Sequence, residues 1–508
     1  MYRIERRTWY ILFSVLTFVC LMAFFSVHPL YIYDSDDWYY ISFSRPALPS
    51  VHQWNPTKIL PETLFPLCAE IAVRFVMPFL GDYIGSMGIV FAAVTSLCII
   101  GYMIGFGKHV SSVYGVGRKQ SVMIMIVILL FHFLVFNTGV SGNSHMFWAD
   151  NVNCVFNYTI PGLVNGILFF ELFSVTSEEV KRDRRFIRLG MLLLMLYLAI
   201  NSNMFQSIMI SSLAGGNLLI SAIESIRNVK NEKSKIWLIR DFVYKNILWL
   251  FVLVFWILSL GYEVQGGRAS KATSGFKNLP VKETLRRFVT RMGSINKIYI
   301  ITVSFLILSG LALCLCKKVR AQWSTKDFLY LKNMGIEFLC MCVTTVYLIL
   351  LCSKVYPYYI ERSYVLFAMI FCLMVMTASS MAYIITNVPT CTIFLPLLCY
   401  MFLVEAVIDG RTFAEYNVMQ YPEKKIKLLD DYYMDQIIEA DNLGLEEVKI
   451  HVAKHPYDKW PLGISDGGDK FARSLYRHGL ISKMISVSLI ADETVNEAYG
   501  LPDLGGVK

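Results

Sequence analysis

Long stretches without a charged side chain set the strongest limit on what this chain can fold into. Trp9 to Tyr33 and Tyr83 to Gly107 carry none, and each exceeds the roughly 20 apolar residues that a helix needs to cross about 30 Å of hydrocarbon. Leu189 to Ile223 and Ser363 to Val404 are also uncharged and too long for one span. Asn201-Ser202-Asn203 divides the first, and Asn387-Val388-Pro389 divides the second. With shorter runs at 121–136, 158–175, 242–262, 298–316 and 336–352, the count reaches about eleven spans. Composition agrees, because only 17% of the 508 residues are charged, against about a quarter in soluble chains. The pattern predicts a polytopic α-helical membrane protein.

Basic residues in short loops orient such a chain. Arg3, Arg6 and Arg7 precede the first run. Alternate loops then carry Lys108, Arg118 and Lys119; Lys181, Arg182, Arg184 and Arg185; Arg227, Lys230, Lys233 and Lys235; and Lys317, Lys318 and Arg320. These loops and the N-terminus are expected in the cytoplasm, and an odd span count puts the C-terminal part on the other face. The first run lacks a small-residue cleavage site and reads as a retained helix. The cysteines, Cys154 excepted, lie in or beside apolar runs. They read as buried thiols, not a disulfide framework or a zinc site.

The chain divides into a transmembrane part, 1–408, and a C-terminal part, 409–508, with no further membrane run. The latter reads as a small extracytoplasmic α/β domain. Residues 421–440 have helical spacing, Val448 to Val452 and Met484 to Ile490 read as strands, and a short helix opens at Gly467-Gly468. The outer loops differ in character: 31–82 is acidic and aromatic, 137–157 has no basic residue, and 263–297 is basic.

The stretch Tyr31-Ile32-Tyr33-Asp34-Ser35-Asp36-Asp37-Trp38-Tyr39-Tyr40 carries the most information. Three carboxylates at the exit of an apolar helix repel one another, and the negative end of that helix disfavours them further. One of Asp34, Asp36 and Asp37 suits a general base, with a neighbour orienting it or stabilising an oxocarbenium carbon. Aromatic rings such as Trp38 commonly line sugar sites. Lys58 and Glu62 follow in a proline-rich stretch. Asp34-Ser35-Asp36 also has a spacing used for divalent metals, so a metal stays open and no other cofactor is indicated. In the second loop His145, Trp148, Asp150 and Asn153 mix hydrogen-bonding groups with rings. That mixture fits a neutral carbohydrate better than nucleic acid or phosphate.

In the fourth loop, Val281, Leu285, Phe288, Val289 and Met292 form an apolar stripe, with Lys282, Arg286, Arg287 and Arg291 around it. This predicts an amphipathic helix in the outer interface that binds anionic lipid or gathers a phosphate-bearing lipid substrate. A short fifth loop holds Lys354 and Arg362. Arg362 follows Tyr356-Pro357-Tyr358-Tyr359-Ile360-Glu361, where a guanidinium could grip a phosphate bidentately.

The layout resembles the GT-C class of membrane glycosyltransferases, which use polyprenyl-phosphate-linked sugars. It is most similar to bacterial serotype-converting O-antigen glucosyltransferases. The resembling pieces are Tyr33 to Trp38, Trp54 to Glu62, Arg362-Ser363, and His455 to Leu462 leading into Arg473 to Gly479. The resemblance implies inverting transfer of a hexose, most simply glucose, from polyprenyl phosphate to lipid-linked O-antigen at the periplasmic face of a bacterial inner membrane. It also implies a base among Asp34, Asp36 and Asp37, with Asp36 or Asp37 favoured. Arg362, with Lys354 or Arg286 and Arg287, would hold the leaving phosphate. Two other readings stay open. An O-antigen polymerase would rely on Arg-rich outer loops. A transporter would carry charges within its spans, where Glu171 is the clear candidate.

Overall fold

The computed structural model describes residues 2–32, 34–48, 56–136, 146–149, 151–175, 185–227, 235–265, 279–409, 423–454 and 467–501. Its helices are α1 Tyr2–Val27, α2 Ser35–Ser42, α3 Ile59–Leu80, α4 Tyr83–Tyr114, α5 Arg118–Leu134, α6 Val152–Phe173, α7 Arg185–Ile200 and α8 Met204–Arg227. There follow α9 Lys235–Lys245, α10 Ile247–Gln265, α11 Val281–Gly293, α12 Lys297–Val319, α13 Thr325–Val355, α14 Phe367–Asn387 and α15 Phe394–Asp409. The C-terminal part adds α16 Glu423–Asn442, β1 Glu447–Ala453, α17 Gly467–Arg477, β2 Ser486–Asp492 and α18 Glu493–Ala498.

A polytopic helical membrane protein is the architecture. Among the described residues, eight helices are long and apolar enough to cross a membrane: α1, α3, α4, α6, α8, α12, α13 and α14. A ninth arises if α9 and α10, bent by 78° at Asn246, count as one broken span. The expected eleven are not reached, because α5 is a 17-residue helix and the apolar parts of α7 and α15 are shorter than a full span. Asn201-Ser202-Asn203 and Asn387-Val388-Pro389 do separate helices as anticipated.

The expected outer loop 31–82 is corrected, since α3 occupies much of it. Its Glu62, Glu70 and Arg74 hide the apolar character, yet the latter two pair at 2.7 Å and Glu62 pairs with Arg45. The Ile59 amide donates to the Asn201 carbonyl at 2.8 Å, and Asn203 bonds the Asn157 carbonyl beside Asn153 and Asp37. At the other end, Tyr83 meets His478. That histidine also senses Glu70 and Arg74. Both ends of α3 are therefore tied to the pole that carries α2. A helix about 33 Å long held this way runs along that pole, with Phe79 88% exposed.

Small residues let the central helices approach. A Cβ on Gly166 of α6 would stand 2.5 Å from the Tyr102 ring of α4, and one on Gly162 would meet Phe367 of α14 at 2.7 Å. Helix α14 sits at the centre, packed by α4, α6, α8, α12 and α13. In the C-terminal part β1 and β2 pair in parallel from Glu447↔Ser486 to Ala453↔Asp492. Helix α17 lies between them in sequence, as a parallel pair requires.

Candidate functional site

The three carboxylates open a helix instead of closing one. Asp34 is the N-cap of α2, and its Oδ1 accepts the amides of Asp36 at 2.9 Å and Asp37 at 3.2 Å. Asp37 Oδ2 returns the bond to the Asp34 amide at 3.2 Å, which closes a capping box. The expected penalty of a helix C-terminus is thereby reversed, since acidic groups are favoured at the positive end of α2.

Two residues from the start of α6 fasten this turn. The Asn151 side-chain amide donates to Asp34 Oδ2, and the Asn153 backbone amide donates to Asp37 Oδ1 at 2.6 Å. Asp37 is fully buried, whereas Asp34 and Asp36 are half-buried. Burial pushes the Asp34 carboxyl up to about 6, and the Asp36 charge adds to this against the pull of its three N–H donors. A carboxyl that titrates near neutrality can take up and release a proton at physiological pH.

Arg362 lies on the other side of Cys154 from these carboxylates in the chain's network of contacts. Its guanidinium lies 4.5 Å from the Tyr359 ring, 5.2 Å from Tyr358 and 5.8 Å from Tyr364. The Tyr364 hydroxyl accepts the Cys154 thiol at 3.6 Å, and Cys154 follows Asn153, the residue that holds Asp37. Cys154 senses Arg362, Asp34 and Asp37 together. The Gln206 amide fixes the Tyr364 carbonyl at 2.6 Å. No carboxylate among the described residues pairs with Arg362, while Glu361 is taken by Arg287 at 2.8 Å. Asp34, Asp37 and Arg362 thus lie around Cys154 although their sequence positions are far apart.

No protein-family model, curated protein or solved structure matches the chain.

Other anticipated site residues take different places. Trp38 is 0% exposed, stacked on Phe471 at 3.7 Å with Tyr83 beyond, so it is not an open sugar platform. Trp148 is also buried, beside His28. Lys58 adopts the left-handed conformation at φ 60° ahead of α3. Buried Glu62, one turn on, is held by Arg45 and braces α3. Lys354 belongs to the last turn of α13, not to a loop.

Helix α11 forms as expected, but its basic face is not uniformly free. Arg286 is exposed and pairs with Glu283, Arg287 bridges Glu283 and Glu361, and Arg291 is buried 4.2 Å over Phe136. His145, Asp150 and the 455–462 stretch lie outside the described residues. Among the described residues no three His, Cys, Asp or Glu side chains gather as metal ligands.

Sequence reasoning missed Asn151, Cys154 and Tyr364. Polar runs flagged their neighbourhood, but only the fold brings them between Asp34 and Arg362. Glu171 proves to be an edge residue paired with Lys108 at 3.0 Å. The buried carboxyl side chains in the candidate spans include Glu62 of α3 and Asp327 and Glu337 of α13.

Proposed function

We propose that this chain is a GT-C-type glycosyltransferase of a bacterial inner membrane, moving a hexose from polyprenyl phosphate to lipid-linked O-antigen at the periplasmic face. The observation that carries this reading is the gathering of Asp34, Asp37 and Arg362 around Cys154, with Asp36 beside Asp34, at one pole of an apolar helical bundle.

Asp36 is assigned as the base, while Asp34 and Asp37 hold the helix cap. Asp36 takes the proton of an acceptor hydroxyl, and that oxygen forms the new bond to the sugar C1. The bond from C1 to the phosphate oxygen breaks with its electron pair, leaving polyprenyl phosphate with one more negative charge. Arg362 meets that charge, preset by its three tyrosines, and electrostatic help of this kind is strongest where water is excluded. Asp34 and Asp37 fix the α2 turn that aims Asp36. Arg286 and Arg287 on α11 lie nearer the lipid and gather the anionic donor. Attack from the face opposite the departing phosphate gives inversion.

The test is sugar transfer by purified protein in liposomes supplied with polyprenyl-phosphate-glucose and isolated O-antigen lipid. We expect transfer by the wild type and its loss in Asp36→Asn, with the variant still inserted. Arg362→Ala should weaken donor binding by about tenfold or more, the scale of a charge-assisted phosphate contact, and Arg286→Ala much less. Full activity in Asp36→Asn would sink the base assignment. Chain lengthening without sugar transfer would point to a polymerase, and lipid movement across the bilayer to a flippase.

A further inference from the structure

A second polar group lies inside the bundle, and the transfer reaction makes no use of it. His109 of α4, Glu337 of α13 and Ser379 of α14 meet there, with the first two 2% and 1% exposed. The Ser379 hydroxyl donates to Glu337 Oε1 at 2.8 Å. His109 Nε2 stands 3.4 Å from that hydroxyl and 3.7 Å from the same carboxylate oxygen. Four polar atoms around this core are buried without a hydrogen-bond partner among the described residues: His109 Nδ1, Glu337 Oε2, the Asn333 amide nitrogen and the Tyr114 hydroxyl. Buried groups in a purely structural network are normally matched.

The charge balance is equally specific. Neutral His109 beside ionised Glu337 leaves a net negative charge inside a membrane bundle, which is strongly unfavourable. One added proton cancels it, on His109 Nδ1 or on Glu337 Oε2, and these are two of the four unmatched atoms. Among the described residues no other cation is placed to do so. The groups that sense Glu337 include Tyr114, Tyr330, Cys340 and Cys372. The remaining faces of His109 meet the Phe170 and Phe173 rings. Neighbouring Lys108 is turned outward onto Glu171.

We propose that His109, Glu337 and Ser379 form an intramembrane proton-binding site that exchanges one proton with the pole opposite α2. The approach is a series of polar side chains, hydrogen-bonded at Asp327–Tyr383 and at Tyr330–Ser380 and in contact without a hydrogen bond between those pairs. Lys317 donates to Asp327 at 2.7 Å near the start of α13, and Tyr383 donates to the same carboxylate. Tyr383 stacks on Tyr330 at 4.0 Å, and the Tyr330 hydroxyl meets Ser380 at 3.0 Å, one residue from Ser379. A Cβ on Gly310 would stand 2.5 Å from the Tyr330 oxygen, so glycine leaves room for that hydroxyl. The step is a reversible transfer from a hydronium ion to nitrogen or carboxylate oxygen, with no other bond changed. It holds whether or not the chain transfers sugars.

The test is pH-jump infrared difference spectroscopy on the full chain in lipid nanodiscs. We expect a protonated-carboxyl band that titrates with pH, ignores sodium concentration and disappears in the isosteric Glu337→Gln. His109→Gln should move its midpoint by about one pH unit or more, a tenfold change in proton affinity. Tyr330→Phe should slow the appearance of the band. Ser379→Ala keeps both titrating groups and should retain a shifted band, which guards against misfolding of the first variant. A band unchanged in Glu337→Gln, or one that follows sodium at constant pH, would overturn the assignment; unaltered kinetics in Tyr330→Phe would overturn the route.

Discussion

Asp34 and Asp36 stand two residues apart and have opposite tasks at the residue scale. Asp34 caps the start of α2 and resists ionisation, and Asp36 supplies part of that resistance. Removing the Asp36 charge in Asp36→Asn should therefore lower the Asp34 pKa from about 6, as read by infrared titration of isotope-labelled aspartate. An unchanged midpoint would mean that burial acts alone. The sign for stability follows from linkage. The fold favours neutral Asp34, so its contribution is full below the ordinary carboxylate range and is lost as pH climbs through about 6. The Asp34→Asn variant should lack that slope. The motif itself was legible, because three carboxylates among aromatics is a rare pattern. Its capping geometry was not, since a carboxylate at the end of one apolar run can equally begin the next helix.

At the scale of elements, the uncharged runs and their polar breaks reveal α1, α4, α8 and α14 because helices inside a bilayer have few alternatives. Helix α3 escapes such a reading. The partner of Glu62 is Arg45, reached only through the fold, and three prolines break its pattern. Glu337 escaped for the opposite reason, as a single charge at the edge of an apolar run. In the C-terminal part Gly467-Gly468 was visible as a helix start, but not the reason for the second glycine. A Cβ on Gly468 would lie 2.0 Å from the Val487 carbonyl oxygen of β2. Gly468→Ala should thus force α17 off the strand at a cost of about 1–3 kcal/mol, seen as faster proteolysis beyond residue 467. Wild-type resistance in that variant would show that the strand yields instead.

Across the whole molecule, the C-terminal elements grip the turn that carries the carboxylates. Phe471 covers Trp38, the Ser474 hydroxyl bonds its carbonyl, and Lys427 pairs with Asp82 at 3.2 Å. Asp430 lies buried beside the Trp38 indole, and burial followed by the Asp431 charge holds its carboxyl well above the usual range. By the same linkage, this grip is strongest at low pH and weakens as pH rises through the folded pKa of Asp430. Denaturation followed by tryptophan fluorescence should show that loss in the wild type and not in Asp430→Asn; equal slopes would clear Asp430 of the role.

The Ser474–Trp38 bond also joins residues 436 apart in the chain. A ribosome adding about 5–20 residues per second needs on the order of 20–90 s to make the second partner after the first. Throughout that interval the acidic turn exists without its cover. A half-made chain, already threaded into the bilayer, therefore holds the carboxylates but not the clamp that fixes them. Competence comes only once the C-terminal elements have been made.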